Sequence, residues 1–178
     1  PRATALRHCA LEGTLVQELL EGEDLDDRIE RRDLTSFTER LFFLIQIARG
    51  LNYANQRGVI HRDVKPANVR VLDDGTIKIL DFGIAQLVHY NSDLTQQGMA
   101  VGTAAYLAPE QIRGEKASPA TDIFSFGVLA YELLTYIRPF GRETISETFY
   151  LTLNPAPPAL SEQWAVGPAE LVQVISRC

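Results

Sequence analysis

Residues 122–135 constrain the fold more than any other stretch: among these fourteen residues only Asp122 and Glu132 are charged, and the remainder are mostly apolar. A segment apolar around its whole circumference reads as a helix buried on all sides, with other elements packed against it. A second helical signal lies upstream. Ser36 and Glu39 have the S-x-x-E spacing of a capping box. Behind them Phe37, Leu41, Leu44, Ile45, Ala48 and Leu51 recur at three- and four-residue steps, marking a long amphipathic helix that ends near Gly58. Between the two helices, residues 69–72 and 76–80 flank Asp73-Asp74-Gly75 and read as a β-hairpin. Residues 5–11 and 14–19, around Glu12-Gly13, read as another hairpin, which Glu21-Gly22 breaks before a short acidic helix near 25–31. Residues 83–118 read as irregular, and a loop of that length is usually functional or disordered. Residues 154–160 hold three prolines and read as a loop, and a last helix starts near Pro168. The class is α+β, mainly helical.

The chain has 178 residues, enough for one domain with a real core. It carries 23 acidic and 17 basic side chains, a net charge of −6 and no basic tract, which argues against nucleic-acid binding by phosphate neutralisation. Its longest apolar run spans positions 41–48 and is interrupted by Gln46. That is far shorter than a membrane-spanning helix requires. Cys9 and Cys178 are too far apart in sequence to suggest a disulfide framework or zinc cluster, in keeping with a reducing compartment. Acidic residues crowd one region (Glu18, Glu21, Glu23, Asp24, Asp26, Asp27, Glu30, Asp33), with Arg28, Arg31 and Arg32 among them. That region reads either as a solvated loop and helix or as an acidic rim for basic substrates. The three lysines are Lys65, Lys78 and Lys116, so the whole stretch before Lys65 has none.

Three motifs follow in order: His61-Arg62-Asp63-Val64-Lys65-Pro66-Ala67-Asn68, then Asp81-Phe82-Gly83, then Ala108-Pro109-Glu110. Each alone is weak. Together, with a hairpin between the first two and a long loop before the third, they match the protein-kinase signature set, with Val64 at a position usually held by Leu. The chain resembles the C-terminal lobe of a eukaryotic-type Ser/Thr protein kinase, and HRDVKPANV, DFGIA and GTAAYLAPEQ are most similar to the bacterial branch. The resemblance implies a protein-kinase-like fold: a mainly helical large lobe from about residue 21 onward, truncated near its last helices, and a remnant β-hairpin and hinge of the small lobe over about 1–20.

It also implies roles. Asp63 orients the acceptor hydroxyl, Lys65 reaches the transferring phosphate, and Asn68 and Asp81 supply oxygen ligands to Mg²⁺. Thr103 sits beside Asp63 and Lys65 and, with Lys65, favours Ser/Thr over Tyr acceptors. For ATP, Gln17 is the gatekeeper behind adenine, Glu18 and Leu20 offer hinge backbone groups, Asp24 meets the ribose, and Leu80 lines the pocket floor. Arg70 stands where relatives often have Leu beneath adenine; its stem can cover the ring while the guanidinium leaves the pocket. His61 and Phe82 are packing residues that couple the lobes, followed by Gly83. Asp122 is a buried scaffold carboxylate for the catalytic loop. Arg62 marks a kinase whose activation loop docks a phosphate, with Thr95 the first phosphosite and Ser92 the second. Glu110 pairs with an arginine that in relatives lies beyond the last helix here.

No G-x-G-x-x-G loop and no strand lysine occur before Lys65. The expectation is therefore a fragment of a kinase domain, cytoplasmic by itself or as the cytoplasmic domain of a longer membrane-tethered protein, with little activity in isolation and acting on protein Ser/Thr when complete. The alternative is a catalytically inactive pseudokinase-like interaction module. A small-molecule phosphotransferase is disfavoured by Ala108-Pro109-Glu110 and Gly102-Thr103.

Overall fold

The computed structural model describes residues 18–82, 101–154, 157, 159–164 and 167–178. The 5–19 hairpin (apart from its last two residues), Gln17, Gly83, Ser92 and Thr95 lie outside them.

The buried helix of the sequence is α5, Pro119–Thr135, with Asp122, Ser125, Leu129, Ala130, Leu133 and Leu134 all buried. It starts where Ser118 accepts from the Ala120 N–H and Thr121 Oγ1 accepts from the Ser118 N–H, and where proline fills the first turn. It ends at Tyr136, whose backbone is left-handed at φ 60°.

Helix α2, Phe37–Asn55, packs against it and begins as expected, with Ser36 Oγ accepting from the Glu39 N–H. Its buried face differs from the expected stripe. Phe43, Leu44, Ile47, Leu51 and Ala54 point inward, whereas Phe37, Ile45 and Ala48 are exposed. The helix carries apolar residues around most of its circumference, so α5 and the hairpin, and not the local pattern, select the inner face. Arg40 locks the pair by donating to the carbonyls of Leu34 and Leu134 and to the Tyr136 hydroxyl.

The hairpin forms as strands β2, Val69–Val71, and β3, Ile77–Ile79, with Val69 opposite Ile79. Gln46 of α2 holds it, donating to Gly75 O and accepting from the Ile77 N–H. A third strand, β1, Glu23–Asp24, adds antiparallel to β2, giving the order β1-β2-β3. Two acidic residues carry no local strand signal, and the pairing is imposed by the neighbour. Gly22 permits it: its φ is 127°, and a Cβ there would lie 2.2 Å from Val71 O. Helix α1, Leu25–Glu30, follows and buries Leu25 and Ile29.

Residues 101–118 are more regular than expected, since α3, Val101–Ala104, and α4, Pro109–Ile112, are single helical turns. Helix α6, Ile145–Leu153, lies outside the expected elements. Its start nevertheless has a local signal, T-x-x-E: Thr144 accepts from the Glu147 N–H and donates to its carboxylate. Two short helices close the chain, α7, Leu160–Gln163, and α8, Ala169–Ile175. Leu160 and Ile175 join Leu25, Phe43, Ile47, Val69 and Leu129 in one hydrophobic core.

Candidate active site

The loop from His61 to Asn68 leaves the end of α2 and is moored from beneath by α5. Asp122, 1% exposed, accepts the backbone N–H of His61 on Oδ2 and that of Arg62 on Oδ1, each at 2.9 Å. Asn55 of α2 also donates to Oδ2, at 3.2 Å. A buried carboxylate is stable when several N–H groups converge on it. The mooring holds Arg62 at φ 68°. Non-glycine residues rarely adopt that conformation. On its other side the Arg62 carbonyl accepts from Gln111 Nε2 at 2.7 Å. Gln111 in turn accepts from the Ala108 N–H, so this buried amide ties α4 to the loop. It stands directly after Ala108-Pro109-Glu110, and sequence reasoning assigns it no role.

His61 is fully buried, and its tautomer follows from its partners. The Asp63 N–H can only donate, so Nδ1 accepts at 3.2 Å, leaving Nε2 to donate to Leu80 O at 2.7 Å. The bond at one ring nitrogen thus fixes the proton on the other. Burial holds the imidazole below its ordinary pKa and therefore neutral. Its ring packs on Phe82 with centroids 4.6 Å apart. These contacts, with Leu80 N–H donating to Asn68 O at 2.8 Å, join the end of β3 to the loop.

Asp63 Oδ2 accepts from Asn68 Nδ2 at 2.8 Å and faces Lys65 Nζ at 3.0 Å. Asn68 also donates to the Asp63 carbonyl at 2.7 Å. Its amide nitrogen thus serves Asp63, and its side-chain oxygen is the group left for a cation. Lys65 Nζ donates to Thr103 Oγ1 at 3.3 Å. The structure therefore brings Asp63, Lys65, Asn68 and Thr103 into one contiguous group. Asp81, exposed and at φ 52°, follows Leu80 just past the end of β3, and the Leu80 N–H donates to Asn68 O.

The expected nucleotide residues are placed less uniformly. Glu18 is exposed and Leu20 and Leu80 are half-buried. Asp24 and Arg70 are cross-strand partners on β1 and β2, and Arg70 Nη1 meets Asp24 Oδ1 at 2.9 Å. The Arg70 guanidinium thus turns to the carboxylate expected at the ribose. Glu110 accepts from the Thr121 hydroxyl at 2.6 Å, which ties α4 to the start of α5. In the acidic region, Arg31 meets Glu23 and Asp33, and Arg28 meets Asp33 and Glu39. This favours the solvated, self-paired reading over an open acidic rim.

A helical lobe that suspends an H-R-D loop on a buried aspartate, beside a hairpin followed by D-F, is the arrangement expected of a protein-kinase-like fold. The chain belongs to the protein kinase family: the model of the protein kinase domain matches residues 9–176. It is 39% identical over 160 residues to serine/threonine-protein kinase PknA of Mycobacterium tuberculosis, covering 90% of this chain and 37% of that protein. It is 37% identical over 163 residues to serine/threonine-protein kinases drp72 of Corynebacterium efficiens, covering 92% and 31%. It is 40% identical over 147 residues to serine/threonine-protein kinase PknL of M. tuberculosis, covering 83% and 37%. The chain thus spans about a third of the length of these curated relatives. The kinase resemblance drawn from the three motifs is borne out. Among the described residues no helix is long and apolar enough to cross a membrane.

Proposed function

We propose that this chain is the large-lobe part of a Ser/Thr protein kinase domain, with the hinge just before it, that transfers the γ-phosphate of Mg-ATP to protein Ser or Thr hydroxyls in the cytoplasm. The observation that carries the reading is the joined group Asp63, Lys65, Asn68 and Thr103 on a loop suspended from Asp122. Phosphoryl transfer depends on positioning and charge neutralisation, and each residue type suits that demand. Asp63 accepts the hydrogen of the acceptor hydroxyl and orients its oxygen toward phosphorus. That oxygen bonds to the γ-phosphorus as the bond to the β,γ-bridging oxygen breaks, and the proton passes to the Asp63 carboxylate. Lys65, held between Asp63 and Thr103, places its ammonium where the transferred group gathers negative charge.

The donor set fits Mg²⁺. Asn68 and Asp81 offer hard oxygen atoms, and among the described residues no cluster of three or more His, Cys, Asp or Glu forms a metal cage. That suits an ion held by few protein oxygens together with substrate phosphates. When bound, Mg²⁺ neutralises charge on those phosphates.

The test is transfer of labelled γ-phosphate by the full natural chain to a Ser/Thr protein acceptor. Asp63→Asn should lower kcat by about 10²- to 10⁴-fold with an unchanged melting curve, since Asp63 is partly exposed. Unaltered transfer by that variant refutes the reading. The Asp24–Arg70 pair favours a second reading, an inactive interaction module, because it engages the expected ribose acceptor. Wild-type protein that neither binds Mg-ATP nor transfers phosphate establishes that reading instead.

A further inference from the structure

The peptide plane between Arg62 and Asp63 is held at both ends. Its N–H, that of Asp63, donates to His61 Nδ1 at 3.2 Å, and its carbonyl, that of Arg62, accepts from Gln111 Nε2 at 2.7 Å. A peptide unit is planar, so fixing its two polar ends fixes its tilt. That tilt sets the direction in which the chain enters Asp63. The Arg62 N–H is bound to Asp122, and Arg62 sits at φ 68°. A non-glycine residue keeps that conformation only where its surroundings over-determine it.

The orientation of the Gln111 amide follows from its partners. The Ala108 N–H can only donate, so the side-chain oxygen faces it, at 3.1 Å, and the NH₂ faces the loop. Gln111 is 8% exposed and lies on the single turn α4, 49 residues from Arg62. A residue that only started α4 would need its oxygen alone. Here the amide nitrogen is spent on a carbonyl of another element, directly before Asp63. A second link from the same segment, Thr103 to Lys65, reaches the other side of Asp63. Asp63 therefore has its carboxylate held by Asn68 and Lys65, and its preceding peptide held by His61 and Gln111.

We propose that Gln111 is a positioning residue for Asp63: its amide fixes the peptide plane ahead of the carboxylate, so that Asp63 is set for transfer only while α4 is docked on the loop. The proposal rests on the kinase reading for what Asp63 does, and on the hydrogen bonds alone for what Gln111 does. Without the Nε2 bond the plane is held at its N–H end only and can tilt about it. A carboxylate displaced by about 1 Å from the acceptor hydroxyl lowers transfer by about a hundredfold. The loss falls on the chemical step. Glu18, Leu20 and Asp24, expected at the nucleotide, lie on other segments, so the KM for ATP holds.

Two variants of the full natural chain separate this role from the capping of α4. Gln111→Leu keeps the volume and loses both bonds. Gln111→Glu keeps an acceptor for the Ala108 N–H but turns an oxygen toward the Arg62 carbonyl. Both should lower kcat by about ten- to a hundredfold, with the KM for ATP within about twofold of wild type, at temperatures well below the melting transition. Lower pH should restore part of the Gln111→Glu rate relative to wild type, because a protonated carboxyl donates to that carbonyl as the amide does. Amide exchange followed by NMR should speed up at Asp63 by about tenfold in both variants, while the His61 and Arg62 amides, bound to Asp122, keep their protection. Equal loss of protection at all three amides marks plain destabilisation and overturns the proposal, as does an unchanged kcat or unchanged exchange at Asp63. If wild type transfers no phosphate the kinase reading fails, and the hold of Gln111 on the peptide stands on the selective exchange at Asp63 or falls without it.

Discussion

Asp122→Asn isolates the interaction that suspends the loop from His61 to Asn68. The variant keeps the shape of the side chain at a site only 1% exposed. Its carboxylate now takes two backbone N–H groups at 2.9 Å, one on each oxygen. An amide has a single acceptor oxygen, so whichever way it turns, the N–H of His61 or of Arg62 faces an NH₂ group and loses its partner. A hydrogen bond to a charged group contributes about 1.5–3 kcal/mol, and an orphaned buried donor costs a similar amount. Losing one bond and weakening the other sums to about 3–5 kcal/mol. Removing a charge from the interior offsets a part, roughly 1–2 kcal/mol. The net loss is about 1–4 kcal/mol, which for a chain of this size lowers Tm by about 2–16 °C. Urea unfolding followed by circular dichroism should show the midpoint falling with the slope unchanged. Activity should fall as well, because Arg62 is no longer held at φ 68° next to Asp63. A variant within about 0.5 kcal/mol of wild type refutes the argument that this carboxylate carries the loop.

Two further outcomes follow from the fold. Gly22→Ala places a Cβ 2.2 Å from Val71 O and 2.9 Å from Leu72 Cα at a positive φ. It should cost at least about 2 kcal/mol and remove hydrogen-exchange protection from the β1–β2 bonds, and full protection in the variant contradicts the reasoning. His61 is held neutral in the folded chain, below its ordinary value near 6.5. The unfolded chain therefore takes up a proton first as pH falls, so stability is highest above about pH 6.5 and declines below it. His61→Gln, though less stable at every pH, should lose that part of the slope in melts on either side of that value, and an identical slope in both proteins removes His61 as its source.

Part of this structure is written locally. Residues 122–135 could be read as a buried helix because an all-apolar surface has no other stable place. The start of α2 was legible because the Ser36 cap is a contact between residues three apart. The β2–β3 hairpin was legible because its turn chemistry lies between its own strands. The contact of Asp63, Lys65 and Asn68 was legible as well, since the three lie close together in the chain and their order with Asp81 and Glu110 is distinctive.

What escaped the sequence depends on distant neighbours. Which face of α2 turns inward was decided by α5 and the hairpin, since several faces of that helix are apolar. Strand β1 exists because β2 offers an unpaired edge and Gly22 allows a close approach. Gln111 gained its role only when α4 came to rest against Arg62. Arg70 found Asp24, 46 residues away, because the strand register sets them side by side. By itself the sequence determined which family the chain belongs to and where its principal helices lie. The tertiary structure decided which charges meet, since an ion pair between residues far apart in the chain has no periodicity to announce it and exists only once packing brings the two groups within a few ångströms.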